Sequence, residues 1–187
     1  RPPAAPLAVL PRRAGPLGLA ALAVPALAFA LQAFWSVRHY DHLRPLGHAD
    51  LAPDFALSRI DGQPGQVRLA DLRGRVVVLD FWATWCPPCL AMLPMLHDLH
   101  RELHGRGVEF IAINTDGEDA REEVAGFLAR RPFPYPVVAD QGAGARYGVY
   151  SIPHLVVVGR DGKIRRVFIG GVGRSQLAAT LAAAAAE

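Results

Sequence analysis

Two cysteines are the only thiols in the chain, and they stand three residues apart in Trp82-Ala83-Thr84-Trp85-Cys86-Pro87-Pro88-Cys89. A pair at this spacing can exchange two electrons with another disulfide, contribute to a metal site, or form an inert structural bond. The inert bond is the weakest reading, because so short a disulfide loop restricts the unfolded chain little. A metal would need one or two further ligands, and His154 is the candidate. Redox exchange fits the setting best, because the pair follows a strand-like run and opens a helix-like one. A thiol at a helix N-terminus meets unpaired backbone N–H groups and the positive end of the macrodipole. Both favour the thiolate and lower the thiol pKa below its free value of about 8.5. Cys86 is therefore expected to be the exposed attacking sulfur. Cys89, one turn inside, is expected to resolve the mixed disulfide. Pro88 suits the first helical turn, where a missing N–H costs nothing. Pro87 and Pro88 together also remove two donors that would otherwise solvate the thiolate.

The elements that hold this pair read as an alternation of strands and helices from about residue 51. Phe55–Ser58 and Gln66–Leu69 flank Asp61-Gly62 as a hairpin. Val76 to Phe81 is a continuous apolar run broken only by Asp80, typical of a strand buried on both faces. A helix is expected from Pro88 to about Leu103, stopped by Gly105 and Gly107. A second buried strand follows over Val108–Asn114, then an amphipathic helix over Ala120–Arg131. Val137–Ala139 reads as a short strand and Ala143–Tyr147 as a short helix. His154–Val158 and Ile164–Ile169 flank Asp161-Gly162, a strong hairpin signal. An alanine-rich helix over Ser175–Ala186 ends the chain. This order predicts an α/β fold, a mixed sheet with helices on both faces.

The residues ahead of this region are of another kind. Between Arg13 and Arg38 no residue carries a formal charge, and Leu17 to Trp35 is long enough to cross a hydrocarbon core of about 30 Å. Pro25 is tolerable within a membrane helix. Arg12 and Arg13 mark the cytoplasmic side, and Trp35 and Tyr40 the far interface. A retained signal anchor is the preferred reading. A cleaved signal peptide is the second, since Ala26-Leu27-Ala28 and Ala28-Phe29-Ala30 resemble cleavage sites. A buried soluble helix is the third. The expected organisation is a cytoplasmic segment over 1–16, a transmembrane anchor over 17–35, a polar linker over 36–50 and one domain over 51–187. The net charge of +3 arises in this leader, because the first 38 residues hold four arginines and no acid. The remainder is near neutral and lacks the footprint of a nucleic-acid binder.

Val78-Leu79-Asp80-Phe81-Trp82-Ala83-Thr84-Trp85-Cys86-Pro87-Pro88-Cys89, Pro94, Tyr147-Gly148-Val149-Tyr150-Ser151-Ile152-Pro153 and the Asp161-Gly162 hairpin together resemble the thioredoxin superfamily. The match is to its exported, membrane-anchored thiol–disulfide oxidoreductases of the TlpA/ResA/CcmG type. The resemblance covers roughly residues 50–187. It implies a thioredoxin-like sheet with an N-terminal hairpin and a central helix–strand insert, for which 51–69 and 120–139 fit. It also implies a cis bond before Pro153 and a kink at Pro94. The loop at Ile152 and Pro153 is implied to lie against the cysteines, where its backbone pairs with a substrate strand.

Supporting residues follow. Asp80 is the only charge in its strand. Buried and unpaired, it would hold a raised pKa and take the proton of Cys89 during resolution. Many exported relatives carry asparagine there, so Asp80 leans toward thioredoxin-like chemistry. Met92 stands where cytochrome-maturation relatives often have glutamate, which puts a dedicated cytochrome c role in doubt. Met92 reads instead as packing or groove lining. Trp82 reads as core, and Trp85 as a shield over the disulfide and an apolar lip for substrates. His154 either stabilises the thiolate or faces away from it. His97, His100 and His104 share one helix face, read as solvated rather than as a metal stripe. His39, His42 and His48 read as solvated spacer residues.

The expected activity is reduction of disulfides in exported proteins through the Cys86–Cys89 dithiol, with no cofactor. Apocytochrome c, a copper-site assembly protein and misoxidised exported proteins stand as candidate substrates. Because the periplasm is kept oxidising, a membrane electron donor must re-reduce the pair. The resemblance implies a DsbD/CcdA-type transporter, with the catalytic domain on the periplasmic face of a bacterial inner membrane. Two alternatives are a dithiol oxidase running the exchange backwards and a copper-binding module using Cys86, Cys89 and His154. A peroxidase is disfavoured, because the proline-and-threonine peroxidatic loop is missing around Cys86.

Overall fold

The computed structural model describes residues 16–38 and 47–187. They belong to two units divided between Arg44 and Pro45. In the first, helix α1 spans Pro16–Arg38 with Pro25 inside it. Its side chains are described over 25–36, where Leu27, Phe29, Leu31 and Phe34 are exposed. Among the described residues no helix is long and apolar enough to cross a membrane. Most of the expected cytoplasmic segment, residues 1–15, and residues 39–46 of the expected linker, with His39 and His42, lie outside the described residues.

The second unit is built on strand β3 (Val76–Trp82), whose seven residues are all buried. Its side chains alternate between faces. Val76, Val78 and Trp82 enter one core, and Val77, Leu79 and Phe81 enter another. Strands β4 (Val108–Asn114) and β5 (Val137–Ala139) lie parallel to β3 on one side. Strands β6 (His154–Val158) and β7 (Ile164–Ile169) follow antiparallel on the other. The sheet order is β5-β4-β3-β6-β7. The β6–β7 turn passes through Gly162 at a φ of 79°, where a Cβ would run into the Arg73 guanidinium. That guanidinium donates to the Asp161 carbonyl at 2.7 Å.

Helix α2 (Pro87–Leu103) crosses from β3 to β4, and helix α3 (Arg121–Arg130) crosses from β4 to β5. On α2 the buried side chains Cys89, Met92, Leu93, Leu96, Leu99 and His100 form one stripe at helical spacing. Each fully buried leucine of this kind contributes about 1.5–3 kcal/mol relative to an exposed one. Helices α2, α3 and the terminal α5 (Arg174–Ala186) all pack into the core that holds Trp82. The other face is covered by the hairpin of β1 (Ala56–Ser58) and β2 (Gln66–Arg68) and by Tyr147 at the end of the short α4 (Ala143–Arg146). This is the thioredoxin-like mixed sheet with hairpin and insert that the sequence leads one to expect.

Most element boundaries fall within a residue of expectation, and at two places the difference has a structural reason. The second hairpin strand stops at Arg68, and Leu69–Leu72 forms a 3-10 turn, with the Ala70 N–H held by Asp54. The linker also ends earlier than residue 50. Ala49 N–H donates to the Ile164 carbonyl and Ile164 N–H to the Asp50 carbonyl, so the chain is already tied to β7 there. His48, beside this tie, is exposed.

Candidate active site

Cys86 and Cys89 form a disulfide across the first turn of α2. Cys86 is the N-cap, with extended backbone, and its Sγ accepts the Cys89 N–H at 3.2 Å. The reason is local. Pro87 and Pro88 occupy the first two helical positions and have no N–H, so Cys89 supplies the first amide of the helix. The next amide, that of Leu90, is already bonded to the Cys86 carbonyl at 3.1 Å.

The expectation of an exposed Cys86 and a buried Cys89 is not met in the disulfide state. Each residue is only 3% exposed, and both belong to the helix-side core. The two residues differ in position rather than in burial: Cys86 caps the helix and Cys89 lies within it. Around them, Trp85 stands out at 67% exposure, Pro87 and Pro88 are exposed, and Ile152 packs against the core containing both cysteines. The Ile152–Pro153 bond is cis. Pro153 is buried, and its carbonyl accepts the Gly170 N–H at 2.8 Å.

Asp80 is 3% exposed and stands on the same sheet face as Trp82, toward α2. Burial, which penalises the charged carboxylate, pushes its pKa up to about 7. Met92, also on α2, is buried in the same core.

His154 is not brought to this site. It pairs directly with Phe81 across β3 and β6, and its ring meets the Phe81 ring edge-on at 5.9 Å. Directly opposed residues share a face. Phe81 lies in the core opposite the one holding the cysteines, so His154 points away from them. It is buried, and burial lowers its pKa and keeps it neutral. This removes the geometric basis for a substrate-binding or thiolate-stabilising His154 and for a Cys86, Cys89 and His154 copper site. Among the described residues no group of three His, Cys, Asp or Glu side chains is placed to hold a metal ion.

The solvated face expected of the α2 histidines is also corrected. His100 is buried against Phe110 and Tyr135, and His97 packs between Phe133 and Tyr135. His104 alone of the three is exposed. The segment leading into β5 supplies the aromatic rings, and no helical periodicity on α2 announces it.

Sequence reading also missed a clamp on the cysteine loop. Asp116, just past β4, accepts both the Thr84 N–H and the Thr84 hydroxyl at 2.8 Å. The Asn114 side-chain amide donates to the same carboxylate at 2.7 Å. Thr115 N–H donates to the Trp82 carbonyl at 2.9 Å. The parallel β3–β4 register brings Asn114 opposite Trp82, so the chain is tied at Trp82 and at Thr84, four and two residues before Cys86.

A disulfide at the N-terminus of a helix, on a thioredoxin-like sheet whose strand β6 is entered through a cis-proline, defines a thiol–disulfide oxidoreductase. The chain belongs to the Redoxin family, whose pattern matches residues 48–181. It is 34% identical over 128 residues to thiol-disulfide oxidoreductase ResA of Bacillus thuringiensis (strain Al Hakam), covering 67% of this chain and 72% of that protein. ResA of Oceanobacillus iheyensis is 35% identical over 127 residues, with 66% of this chain and 65% of the relative covered. Among solved structures, a Chlorobium tepidum protein assigned as thiol:disulfide interchange protein DsbE superposes with a TM-score of 0.69 at 32% identity, covering 75% of this chain and 99% of that one. The exposed lipoprotein thioredoxin Etrx1 of Streptococcus pneumoniae strain TIGR4 gives 0.63 at 28% identity, covering 70% and 99%.

Proposed function

We propose that this chain is an exported reductase of protein disulfides, held at the inner membrane by residues 17–35, with its catalytic domain in the periplasm. The observation that carries the dithiol–disulfide exchange is the Cys86–Cys89 disulfide at the N-terminus of α2, with the buried Asp80, its pKa pushed up to about 7, on the sheet face that packs against that helix. A carboxyl with that pKa is matched to accepting a thiol proton near neutral pH. Export and anchoring are supported by the uncharged run between Arg13 and Arg38. They are supported further by the likeness to an exposed lipoprotein thioredoxin.

In the reaction, the reduced pair meets a substrate disulfide. Cys86 thiolate attacks one substrate sulfur, the substrate disulfide breaks, and a mixed disulfide forms. Asp80 then takes the proton of Cys89, whose thiolate attacks Cys86 Sγ. The substrate leaves as a dithiol and Cys86–Cys89 is oxidised. Trp85, Pro87, Pro88, Ile152 and Pro153 form the substrate contact. The Ile152 backbone groups are left to pair with an extended substrate segment, since the Pro153 carbonyl is already bonded to Gly170. A DsbD/CcdA-type membrane protein returns the electrons. Apocytochrome c and copper-site assembly proteins are candidate substrates within this class.

The Cys86–Cys89 reduction potential at pH 7 tests the direction. A value at or below roughly −250 mV, beside thioredoxin's about −270 mV, is expected. A value near roughly −120 mV would make the protein a disulfide-forming oxidase instead. Asp80→Asn is expected to slow resolution of the mixed disulfide at least tenfold, and normal resolution in that variant would remove Asp80 from the reaction.

A further inference from the structure

On the helix side of the sheet, four buried polar atoms have no hydrogen-bond partner among the described residues. They are Trp82 Nε1, Tyr135 Oη, His97 Nε2 and His100 Nδ1. An unpaired buried polar group costs about 1–3 kcal/mol, and native folds keep few of them. These four belong to one chain of rings. The Tyr135 ring centre lies 5.5 Å from that of His97 and 5.2 Å from that of His100. His97 lies 5.1 Å from Phe133, and Phe133 lies 5.0 Å from Trp82.

The strand register leads this group to Asp80. Asp80 pairs with Ala112 and Ala112 with Val137, so only a methyl group separates Asp80 from the β5 side of that row. Tyr135 precedes Val137 by two residues and packs in the same core. It is near enough for the Asp80 charge to oppose its ionisation. At the outer end the His100 ring is 4.8 Å from the His104 ring. His104 is 61% exposed and stands 3.7 Å from Glu109. The group therefore lies between the strand row that holds the buried carboxyl and the helix surface.

We propose that Trp82, Tyr135, His97 and His100 line a water-holding polar chamber that carries protons between Asp80 and the surface at His104. This rests on the reading of Asp80 as the proton acceptor for Cys89. A buried water needs two to four polar partners, and Tyr135, whose ring centre lies 5.5 Å from that of His97 and 5.2 Å from that of His100, sets its hydroxyl beside two further unpaired atoms. In the reaction Cys89 gives its proton to Asp80 and attacks as thiolate. The Asp80 carboxyl then releases that proton through water and the Tyr135 hydroxyl to an imidazole, and it leaves at His104. No electron moves in this leg, and the carboxylate is restored for the next turnover.

The groups facing the chamber suit this use. Burial holds His97 and His100 below the ordinary histidine range, so both are neutral acceptors at pH 7. Burial raises the Tyr135 pKa and keeps its hydroxyl protonated. Around His97 stand Asp98 and Arg101, and around His100 stand His104, Glu109 and the Pro134 carbonyl. The residues that α3 and α5 place in this core, Val124, Leu128, Leu177 and Leu181, are apolar.

Tyr135→Phe removes only the hydroxyl, and His97→Phe keeps an aromatic ring at the position but supplies no nitrogen. The full chain in detergent, labelled with 13C at aspartate carboxyls, reports Asp80 directly. In Tyr135→Phe its titration midpoint is expected to rise by about half a unit or more, because hydrogen bonds to a carboxylate favour the charged form. An unmoved midpoint overturns the chamber. In His97→Phe turnover at pH 7 is expected to fall several-fold, with a changed pH profile and a larger slowing in D2O. A loss that is equal at every pH and insensitive to D2O indicates packing alone and overturns it. Normal resolution in Asp80→Asn overturns the proton role together with the reading it rests on. A normal dependence on Asp80 with an unmoved midpoint in Tyr135→Phe overturns the chamber alone.

Discussion

At the scale of single residues, Asp80 is a carboxyl held where its charge is disfavoured, and that has a consequence for stability. In the unfolded chain an aspartate loses its proton near pH 4, whereas the folded protein retains it to about 7. Between these values the native state binds more protons than the unfolded one, so stability falls as pH rises and levels off above 7. A window of about three pH units corresponds to at most about 4 kcal/mol. Asp80→Asn cannot ionise and lacks this loss. The variant should gain several kcal/mol relative to the unaltered protein on going from pH 4 to pH 8, read from urea unfolding of the oxidised proteins. Parallel pH dependences in the two proteins would show that Asp80 is charged in the native state. The same residue thus lowers stability at neutral pH and equips the site for proton transfer.

Among elements, the cysteine loop is held by the junction of β3 and β4 as well as by its own turn, in which the Cys86 N–H donates to the Ala83 carbonyl at 3.2 Å. Thr84 makes two bonds to Asp116, and Asn114 orients that carboxylate. Asp116→Ala leaves the Thr84 N–H and hydroxyl without this acceptor, at a cost of about 1–3 kcal/mol. Hydrogen exchange at the Thr84 amide should accelerate at least tenfold, while the β3 amides remain protected. Turnover should fall as the disulfide loses its fixed orientation. Exchange that is unchanged at Thr84 would place the rigidity of the loop in α2 instead. The helix itself adds the capping geometry, in which two prolines leave Cys89 N–H as the donor to Cys86 Sγ.

For the whole molecule, the prediction concerns where the domain works. The full chain should sediment with membranes and resist an alkaline wash, whereas a chain lacking residues 1–38 should be released. Recovery of the full chain in the soluble fraction, with its first 38 residues intact, would contradict the anchor. A soluble form trimmed near Ala28 or Ala30 would identify a cleaved leader instead. Either way, the near-neutral domain that follows lacks the charge balance of a nucleic-acid binder.

Much of this protein is legible in local pattern. Val76 to Phe81 announces a strand buried on both faces, Gly105 and Gly107 stop the following helix, and Asp161-Gly162 marks the final hairpin. Cys-Pro-Pro-Cys at a strand-to-helix junction places thiol chemistry at a helix N-terminus. These features depend on neighbours in the chain, and periodicity and backbone preference act over such distances. What the tertiary structure decided depends on partners far apart in sequence. The pairing of His154 with Phe81 turns that imidazole away from the disulfide, although it adjoins Pro153. The insert places Phe133 and Tyr135 over His97 and His100, making a buried polar group of what reads on α2 as a solvated stripe. The β3–β4 register brings Asp116 to Thr84 across 32 residues. In a strand each one-residue step reverses the side chain's direction, so the face a residue serves follows from its pairing partner and not from its place along the chain.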